Sequence, residues 1–342
     1  MQLFLDSYGA FLGVRNGQFY VKPGTGEPRF FPVRVVEVIF ITRGVSMTGD
    51  ALILAVENGI PVLLIDHIGH PIAQVWSGQF GSISTIRRNQ IIFAESQTGW
   101  LWMAETLRRK IENQRNIVKK IGDMTALDDN ALRRQGRALS TLDSLSKKFE
   151  RWQPEDVLPT FSRQISAENI DKISAEFRAW EATASRHYFR FIAGLMPERF
   201  AFESRSFRPA LDKFNSMLNY LYGMLYAYCE LALMKTGVDP YIGVLHVDRH
   251  ARPTMVFDFI EQFRHWADEV CISIAIENTV SDEGFWFDIV DGGILLKAPT
   301  KGIVIDKFLS FMEQTVPFKK NNQKRSVVID MEAQVLATRL KN

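Results

Sequence analysis

The pattern of hydrophobic and polar positions changes character near residue 81. Before it, short runs rich in Val, Ile and Phe are separated by Gly, Pro and Asn, which predicts strands and turns. Asn16-Gly17 stands between two of these runs and predicts a tight hairpin. A short amphipathic helix is predicted over residues 51–58, with Gly59 at its end. The first 80 residues therefore predict a mainly-β, sandwich-like domain.

Beyond residue 81, apolar residues recur at helical spacing in long segments. Helices are predicted over residues 84–96, 99–121, 129–149, 167–195, 210–236, 254–278, 306–313 and 330–340. A small hairpin is predicted around Asp291-Gly292-Gly293. The predicted fold class is α+β, with a β-rich domain over residues 1–80, a linker and start of the helical region over 81–98, and a larger all-α C-terminal domain over 99–342.

Composition places the chain among ordinary globular proteins. Its 342 residues suit two domains, and 46% of them are hydrophobic. Cys229 and Cys271 stand in apolar surroundings, which predicts buried free thiols and fits a reducing cytoplasm. The N-terminus has no signal-peptide pattern, and no uninterrupted apolar stretch is long enough to span a membrane. A cytoplasmic protein without a membrane segment is therefore expected.

The distribution of charge is more informative than the net charge of +2. Residues 81–152 contain 14 lysines and arginines against 8 aspartates and glutamates. A local basic excess is typical of a nucleic-acid surface, and equally of a solvated helical face. Both interpretations remain open from charge alone.

The candidate chemistry lies in the C-terminal third of the chain. His246, Asp258 and Glu261 fall within sixteen residues, and the two acids are three apart, so a helix would place them on one face. Another acid, Glu181, stands in an apolar helical segment. One imidazole with carboxylate oxygens suits Mg²⁺ or Mn²⁺ and phosphoryl transfer. A surface position for each acid remains the alternative.

Several blocks of sequence in a fixed order strengthen the metal-site interpretation. The blocks are Arg87–Gln90, Trp180–Ala182, Arg205–Pro209, Asp239–His246 and Asp258–Arg264, and the last two are the most diagnostic. With these blocks the sequence resembles the CRISPR-associated protein 1 family, the metal-dependent integrase and endonuclease of CRISPR adaptation. The resemblance extends over nearly the whole chain.

The resemblance implies the site residues. The metal ligands of the family fall on Glu181, His246 and Glu261, for Mg²⁺ or Mn²⁺. Some members have Asp where this chain has Glu261, and the longer side chain reaches one methylene further. Asp258 precedes the last ligand by one helical turn and joins the catalytic set. Binding a second ion, orienting a ligand and accepting a proton all remain open for Asp258.

The resemblance also implies an activity and partners. A free 3′-hydroxyl of a short double-stranded DNA fragment would attack a phosphodiester at the edge of a CRISPR repeat, which inserts the fragment as a spacer. The β-rich domain would carry a homodimer contact, the helical domain would be catalytic, and a dimer of CRISPR-associated protein 2 would be the partner. Candidate DNA-binding residues are Arg87, Arg88, Arg205, Arg208, Asn215 and Tyr226, with core packing as the alternative for Tyr226.

Two other function classes remain. One is a structure-selective, metal-dependent DNA nuclease or resolvase in repair, which would cut branched DNA without a partner. The other is a non-catalytic DNA-binding scaffold. The complete set of acid, histidine and acid argues against the scaffold, because carboxylates are rarely retained in apolar helical surroundings without a charge or metal to pair with.

Overall fold

The chain folds into two compact units, Met1–Ile83 and Ser84–Asn342. The computed structural model describes residues 1–66, 71–75, 83–124, 127–154, 165–246 and 252–341. The predicted change of pattern at residue 81 lies outside the described residues. The division between the units falls in the segment 81–98, where the sequence predicts a linker and the start of the helical region.

The N-terminal unit is built from two four-stranded sheets and one helix. Its elements are β1 (Gln2–Leu5), β2 (Phe11–Arg15), β3 (Gln18–Lys22), β4 (Arg29–Phe31), β5 (Val38–Ile41), β6 (Ser46–Met47), α1 (Gly49–Glu57), β7 (Val62–Ile65) and β8 (Pro71–Val75). The strand orders are β1-β5-β7-β8 and β4-β3-β2-β6. Leu3 and Ile39 of one sheet share a buried core with Leu12 and Phe19 of the other. The predicted sandwich-like domain is confirmed.

Local sequence explains the turns of this unit. Asn16 and Gly17 both have positive φ, 51° and 71°, which is the backbone that a two-residue hairpin turn requires. Thr48 caps α1, because its side chain accepts a hydrogen bond from the Ala51 amide. Gly59 follows the helix with φ of 66° and turns the chain into β7.

The second unit is mostly helical. Its helices are α2 (Ile83–Ala94), α3 (Gln97–Met124), α4 (Asp129–Arg151), α5 (Ala167–Ala193), α6 (Lys213–Lys235), α7 (Thr254–Ile260), α8 (Arg264–Ile276), α9 (Ala298–Glu313) and α10 (Arg325–Lys341). Two antiparallel hairpins interrupt them, β9 (Phe285–Asp288) with β10 (Gly293–Leu296) and β11 (Thr315–Phe318) with β12 (Asn321–Lys324). The unit is therefore mostly rather than wholly helical, and the hairpin expected near Asp291 is present. None of the described helices is both long and apolar enough to cross a membrane.

Helix α6 runs through the core of this unit. Every residue from Phe214 to Cys229 is buried, which is the pattern of a helix covered on all sides. Asp212 caps its N-terminus by accepting a 2.7 Å hydrogen bond from the Asn215 amide. Cys229 and Cys271 are buried free thiols, as predicted.

An aromatic cluster holds α5 against α3 and α4. The Phe177 ring of α5 is fully buried and lies 4.9–5.6 Å, centroid to centroid, from the rings of Trp100, Phe149 and Trp152. All three pairs are edge-to-face, a favourable aromatic geometry. The cluster fixes the position of α5 one helical turn before Glu181.

The long helix predicted over residues 254–278 is interrupted. Residues Glu261–Phe263 form a single 3₁₀ turn between α7 and α8. Side chains bond one carbonyl of this turn and one of the helix before it: Asn113 donates to the Gln262 carbonyl at 3.1 Å, and Gln262 donates to the Phe259 carbonyl of α7 at 3.2 Å. A short 3₁₀ segment within a helix is common at functional positions. Here it carries Glu261.

Candidate metal centre

Glu181 lies on α5 and faces α3. Its Oε1 accepts a 2.7 Å hydrogen bond from the Ser185 hydroxyl, one helical turn further on. The same oxygen lies 2.5 Å from the Lys110 ammonium. Burial alone would raise the pKa of Glu181, but the Lys110 charge outweighs it and lowers the pKa. Glu181 is therefore ionised at neutral pH.

Glu261 is the more deeply buried of the two glutamates, with its side chain 6% exposed. Its Oε2 lies 2.6 Å from Lys110 Nζ, and its Oε1 lies 2.9 Å from Nε of Arg264. Burial acts to raise the pKa of Glu261, but the charges of Arg264 and Lys110 lower it to about 2. A carboxylate this buried is tolerated because two cations compensate for its desolvation.

Lys110 of α3 bridges the two glutamates, although the sequence interpretation did not include it. It belongs to a buried stripe at helical spacing that contains Met103, Leu107, Lys110, Gln114 and Ile117. A lysine in such a stripe is the signal that was available, because lysine is almost never fully buried without a partner. Burial would lower the pKa of Lys110, but the charges of Glu181 and Glu261 raise it, so the ammonium stays protonated.

The loop before His246 is held by side chains from other helices. Gln90 of α2 donates to the carbonyls of Asp239 and Ile242, at 2.8 and 2.9 Å, and accepts from the Asp239 amide at 2.9 Å. Arg178 of α5 donates a 2.8 Å hydrogen bond to the Leu245 carbonyl. Two of the diagnostic sequence blocks, the one ending at Gln90 and the one ending at His246, thus meet in the folded chain.

Asp258 anchors the same loop from α7. It is fully buried, and its Oδ2 accepts hydrogen bonds from the amides of Val244 at 2.6 Å and Leu245 at 3.0 Å. Its Oδ1 accepts from the His246 amide at 3.3 Å and lies 2.6 Å from Nδ1 of the His246 ring. A side chain at Gly243 would come within 3.0 Å of Oδ2, so the close approach of loop and carboxylate requires glycine there.

The contact with Asp258 determines the proton position on His246. An ionised carboxylate only accepts hydrogen bonds, so Nδ1 carries the proton and the neutral ring keeps its lone pair on Nε2. Burial would lower the pKa of His246, but the hydrogen bond and charge of Asp258 raise it. Glu261 lies near enough for its charge to raise the pKa of His246 as well.

Glu181, Glu261 and His246 carry the donor atoms that a divalent ion prefers. In this structure the Lys110 ammonium lies between the two glutamates. Carboxylate oxygens of Glu181 and Glu261 converge on one cationic nitrogen, and the histidine tautomer leaves Nε2 as a metal-binding atom. Within the described ranges, no three His, Cys, Asp or Glu side chains surround a common point at metal-ligand distances. The ammonium of Lys110 lies between the two glutamates instead.

Comparison with known proteins identifies the family. The model of the family described as CRISPR associated protein Cas1 matches residues 3–310. A CRISPR-associated endonuclease Cas1 of Archaeoglobus fulgidus is 30% identical over 271 residues, which cover 77% of this chain and 74% of that protein. The chain belongs to the Cas1 family. A Cas1 endonuclease of Thermus thermophilus is 44% identical over a shorter stretch of 109 residues, about a third of each protein.

Solved structures share the Cas1 fold at lower sequence identity. A Cas1 protein from Thermotoga maritima superposes with a TM-score of 0.74 at 19% identity, and covers 99% of this chain and 97% of that chain. A casposase bound to integration product gives a TM-score of 0.76, also at 19% identity, and covers 99% of this chain and 90% of that one. These likenesses confirm a strand-rich region followed by a mostly helical one.

Three of the candidate DNA-binding residues of this Cas1 protein make contacts inside the folded unit: Asn215 and Tyr226 are buried, and Arg205 is half-buried. Asn215 is fully buried; it donates to the Ser204 carbonyl and to Asp212. Arg205 donates to the side chains of Asn215 and Asn219. Tyr226 is 6% exposed, and its ring packs edge-to-face on Phe257. The structure argues against direct DNA contacts by Asn215 and Tyr226, and favours core packing, the alternative stated for Tyr226.

The other three candidates are exposed. Arg87 makes a 3.5 Å ion pair with Asp239, and its side chain is 52% exposed. Arg88 lies on the exposed face of α2, and the guanidinium of Arg208 lies over the Phe207 ring at 5.3 Å. These three arginines are available to phosphate groups and remain candidates for DNA binding.

The commitment of Arg205 leads to a prediction about stability. Arg205→Ala removes two charge-assisted hydrogen bonds and leaves the oxygens of Asn215 and Asn219 without this donor. We expect the free energy of unfolding to fall by about 2 kcal/mol, measured by urea denaturation. The matched variant Arg88→Ala is expected to keep wild-type stability, because Arg88 is exposed. Unchanged stability of Arg205→Ala together with reduced DNA affinity would contradict the packing role.

Proposed function

We propose that this Cas1 protein is a metal-dependent DNA endonuclease and integrase that inserts short DNA fragments into a CRISPR array. The 3′-hydroxyl of a double-stranded fragment attacks a phosphodiester at the edge of a repeat. A bond forms from that oxygen to phosphorus, and the bond from phosphorus to the 3′-oxygen of the repeat breaks. One phosphodiester replaces another, so the reaction needs no nucleotide as an energy source.

The convergence of Glu181 and Glu261 on a single cation is the observation that carries this proposal. Two carboxylates that are both ionised at neutral pH, together with a histidine whose proton is held at Nδ1, are the donor types that suit a hard divalent ion. Glu181, Glu261 and Nε2 of His246 would hold Mg²⁺ or Mn²⁺. When bound, the ion would stabilise the developing charge on the scissile phosphate and lower the pKa of the attacking hydroxyl.

The remaining residues of the site position these ligands. Asp258 holds the His246 proton at Nδ1 and fixes the loop through three amides, which supports the role of orienting a ligand among the three left open by the sequence. Arg264 lies 2.9 Å from Glu261 and keeps that carboxylate ionised in its buried position. The exposed arginines Arg87, Arg88 and Arg208 would contact the DNA backbone.

Known complexes of related fold support the proposed partners. One solved assembly is a Cas6-RT-Cas1–Cas2 complex, which this chain matches with a TM-score of 0.76 at 19% identity, over 35% of that chain. We propose CRISPR-associated protein 2 and double-stranded DNA as partners, and a homodimer formed through the β-rich unit. Two active sites in such an assembly would serve the two ends of one fragment. Action on the CRISPR array corresponds to a cytoplasmic location.

A strand-joining assay with metal removal tests the proposed function. Labelled duplex fragments with free 3′-hydroxyls are incubated with a repeat-containing plasmid, the second protein, and Mn²⁺ or Mg²⁺. We expect joined product with either ion, and a fall to background when EDTA is present, because the ligand set then holds no ion. Fragments ending in a 3′-deoxynucleotide are the control, since they lack the attacking oxygen.

Two outcomes would favour the other function classes. Cutting of branched DNA by the chain alone, with no joined product on the repeat plasmid, would indicate a structure-selective nuclease. DNA binding with neither cutting nor joining under any metal condition would indicate a scaffold. Joined product that persists in EDTA would contradict the metal dependence.

A further inference from the structure

The bridging position of Lys110 has a consequence for metal binding. Its side chain is 7% exposed, and its single ammonium lies 2.5 Å from Oε1 of Glu181 and 2.6 Å from Oε2 of Glu261. These are oxygens of two of the three proposed metal ligands. Lys110 therefore makes a short ion pair with each of these two carboxylates.

We propose that Lys110 is a built-in counter-ion, which holds Glu181 and Glu261 together in the metal-free protein and must withdraw before a divalent ion binds between them. The inference rests on the proposed metal site and deepens it. It assigns to this chain an exchange of cations, in which an intramolecular ammonium competes with Mg²⁺ or Mn²⁺ for the same two carboxylates.

Geometry and charge prevent the Lys110 ammonium and a divalent ion from lying between the two glutamates at the same time. Divalent Mg²⁺ binds carboxylate oxygens at about 2.1 Å, so an ion shared by these two oxygens would stand against an ammonium that already lies 2.5–2.6 Å from both. Two cations in contact repel strongly at a buried site. Binding of the metal therefore requires the lysine to move.

The environment shows how the lysine can leave. The Glu181 side chain is 27% exposed and the Glu261 side chain 6%, so the site opens towards Glu181. Lys110 carries its charge on a flexible four-carbon stem, so the opening beside Glu181 is the direction in which its ammonium would move. Arg264 stays with Glu261 at 2.9 Å and continues to compensate that carboxylate.

The counter-ion also explains why the metal-free site can be stable. Without Lys110, two carboxylates would face each other in a largely buried position with only Arg264 to offset their charge. Two negative charges that face each other at a buried site favour protonation of one carboxylate or separation of the pair. The ammonium keeps both ligands ionised and near each other, so the site is formed before the ion arrives.

Metal affinity is the first test. Mn²⁺ binding is measured by electron paramagnetic resonance and by calorimetry at pH 8, on the full chain without DNA. Lys110→Met keeps the length of the stem and removes the charge, so we expect it to bind Mn²⁺ about tenfold more tightly than the wild type. Lys120→Met is the matched control on the same helix, because Lys120 pairs with Glu269 at 3.0 Å and is 62% exposed. We expect wild-type affinity for that control.

Thermal unfolding supplies a readout that does not depend on affinity alone. Without metal, Lys110→Met is expected to unfold at a lower temperature than the wild type, because two buried carboxylates lose their shared counter-ion. Saturating Mn²⁺ is expected to raise the unfolding temperature of Lys110→Met by more than that of the wild type. An equal rise in both proteins would contradict the exchange of cations.

A measurement on the wild type covers the case in which Lys110→Met does not fold. Reductive methylation of lysines, followed by mass spectrometry, reports how accessible each ammonium is. We expect methylation of Lys110 to increase several-fold with saturating Mg²⁺, because the ion displaces its ammonium from the glutamates, while the methylation of Lys120 stays constant.

Failure of this inference differs from failure of the proposed metal site. Unchanged or weaker Mn²⁺ affinity in Lys110→Met, or equal methylation of Lys110 with and without Mg²⁺, would overturn the exchange while the metal site stands. Equal Mn²⁺ affinity in the wild type and in Glu181→Ala would overturn the metal site itself.

Discussion

Glu261→Gln is expected to lower the rate of strand joining by about 10³-fold, because the amide lacks the charge that a hard divalent ion requires. Mn²⁺ affinity is expected to fall with it. The joining assay with labelled fragments measures the first effect, and calorimetry measures the second. Retention of wild-type Mn²⁺ affinity in this variant would remove Glu261 from the ligand set.

The same substitution is expected to change stability and its dependence on pH. The carboxylate of Glu261 faces Lys110 and Arg264, and the amide would leave both cations without it, at a cost of about 3 kcal/mol at pH 7. The folded-state pKa of Glu261 is about 2, below its ordinary value of 4.5. A depressed pKa gives stability that is fully present above pH 4.5 and is lost as the pH falls towards 2.

Urea denaturation between pH 2 and pH 7 checks this second effect. We expect the stability of the wild type to fall steeply below pH 4.5, and that of Glu261→Gln to fall less over the same interval. Glu313→Gln is the control, because Glu313 makes a 2.7 Å ion pair with Lys324 at an exposed site. Exposed ion pairs contribute little to the free energy of unfolding, so we expect Glu313→Gln to show the pH profile of the wild type. Identical pH profiles for Glu261→Gln and the wild type would contradict the buried ion pairs.

Asp258→Asn is expected to lower metal affinity and strand joining by about 10- to 100-fold each, although Asp258 is not itself a proposed ligand. Oδ2 accepts two backbone hydrogen bonds, at 2.6 and 3.0 Å, whereas Oδ1 accepts only the longer one from His246 at 3.3 Å, so the NH₂ group of asparagine is favoured at the Oδ1 position, opposite Nδ1 of His246. Donation from asparagine would make Nδ1 the acceptor and move the ring proton to Nε2. The nitrogen that would bind the metal is then blocked.

NMR of the imidazole nitrogens measures this change directly. The wild type is expected to show a protonated Nδ1, and Asp258→Asn a protonated Nε2 in the neutral ring. Asp268→Asn is the matched control, since Asp268 is also a buried aspartate; it accepts from Tyr222 at 2.6 Å and Tyr188 at 3.1 Å. We expect that control to keep the wild-type tautomer. An unchanged tautomer in Asp258→Asn would contradict the orienting role.

Elements with strong local signals were predicted well. The Asn16-Gly17 hairpin, the β-rich first unit and the long helices follow from turn residues and periodicity that act within a few positions of the chain. The 3₁₀ turn at Glu261–Phe263 was not predicted, because Asn113, far away in the sequence, bonds one of its carbonyls. Local periodicity contains no information about such a partner.

In the candidate site, too, some features could be predicted from the sequence and others depend on tertiary packing. The groups available for chemistry, one imidazole and three acids, can be read from the sequence, as can the order of blocks that marks the Cas1 family. Their surroundings follow from how the helices pack. Lys110 meets Glu181 from 71 residues away in the chain, and the Asp258 carboxylate closes on the loop of His246. Helix packing creates these contacts, and in a buried setting the nearest charges determine ionisation and proton position. The helical stripe around Lys110 indicates that this lysine is buried, but its role between the two glutamates follows only from packing.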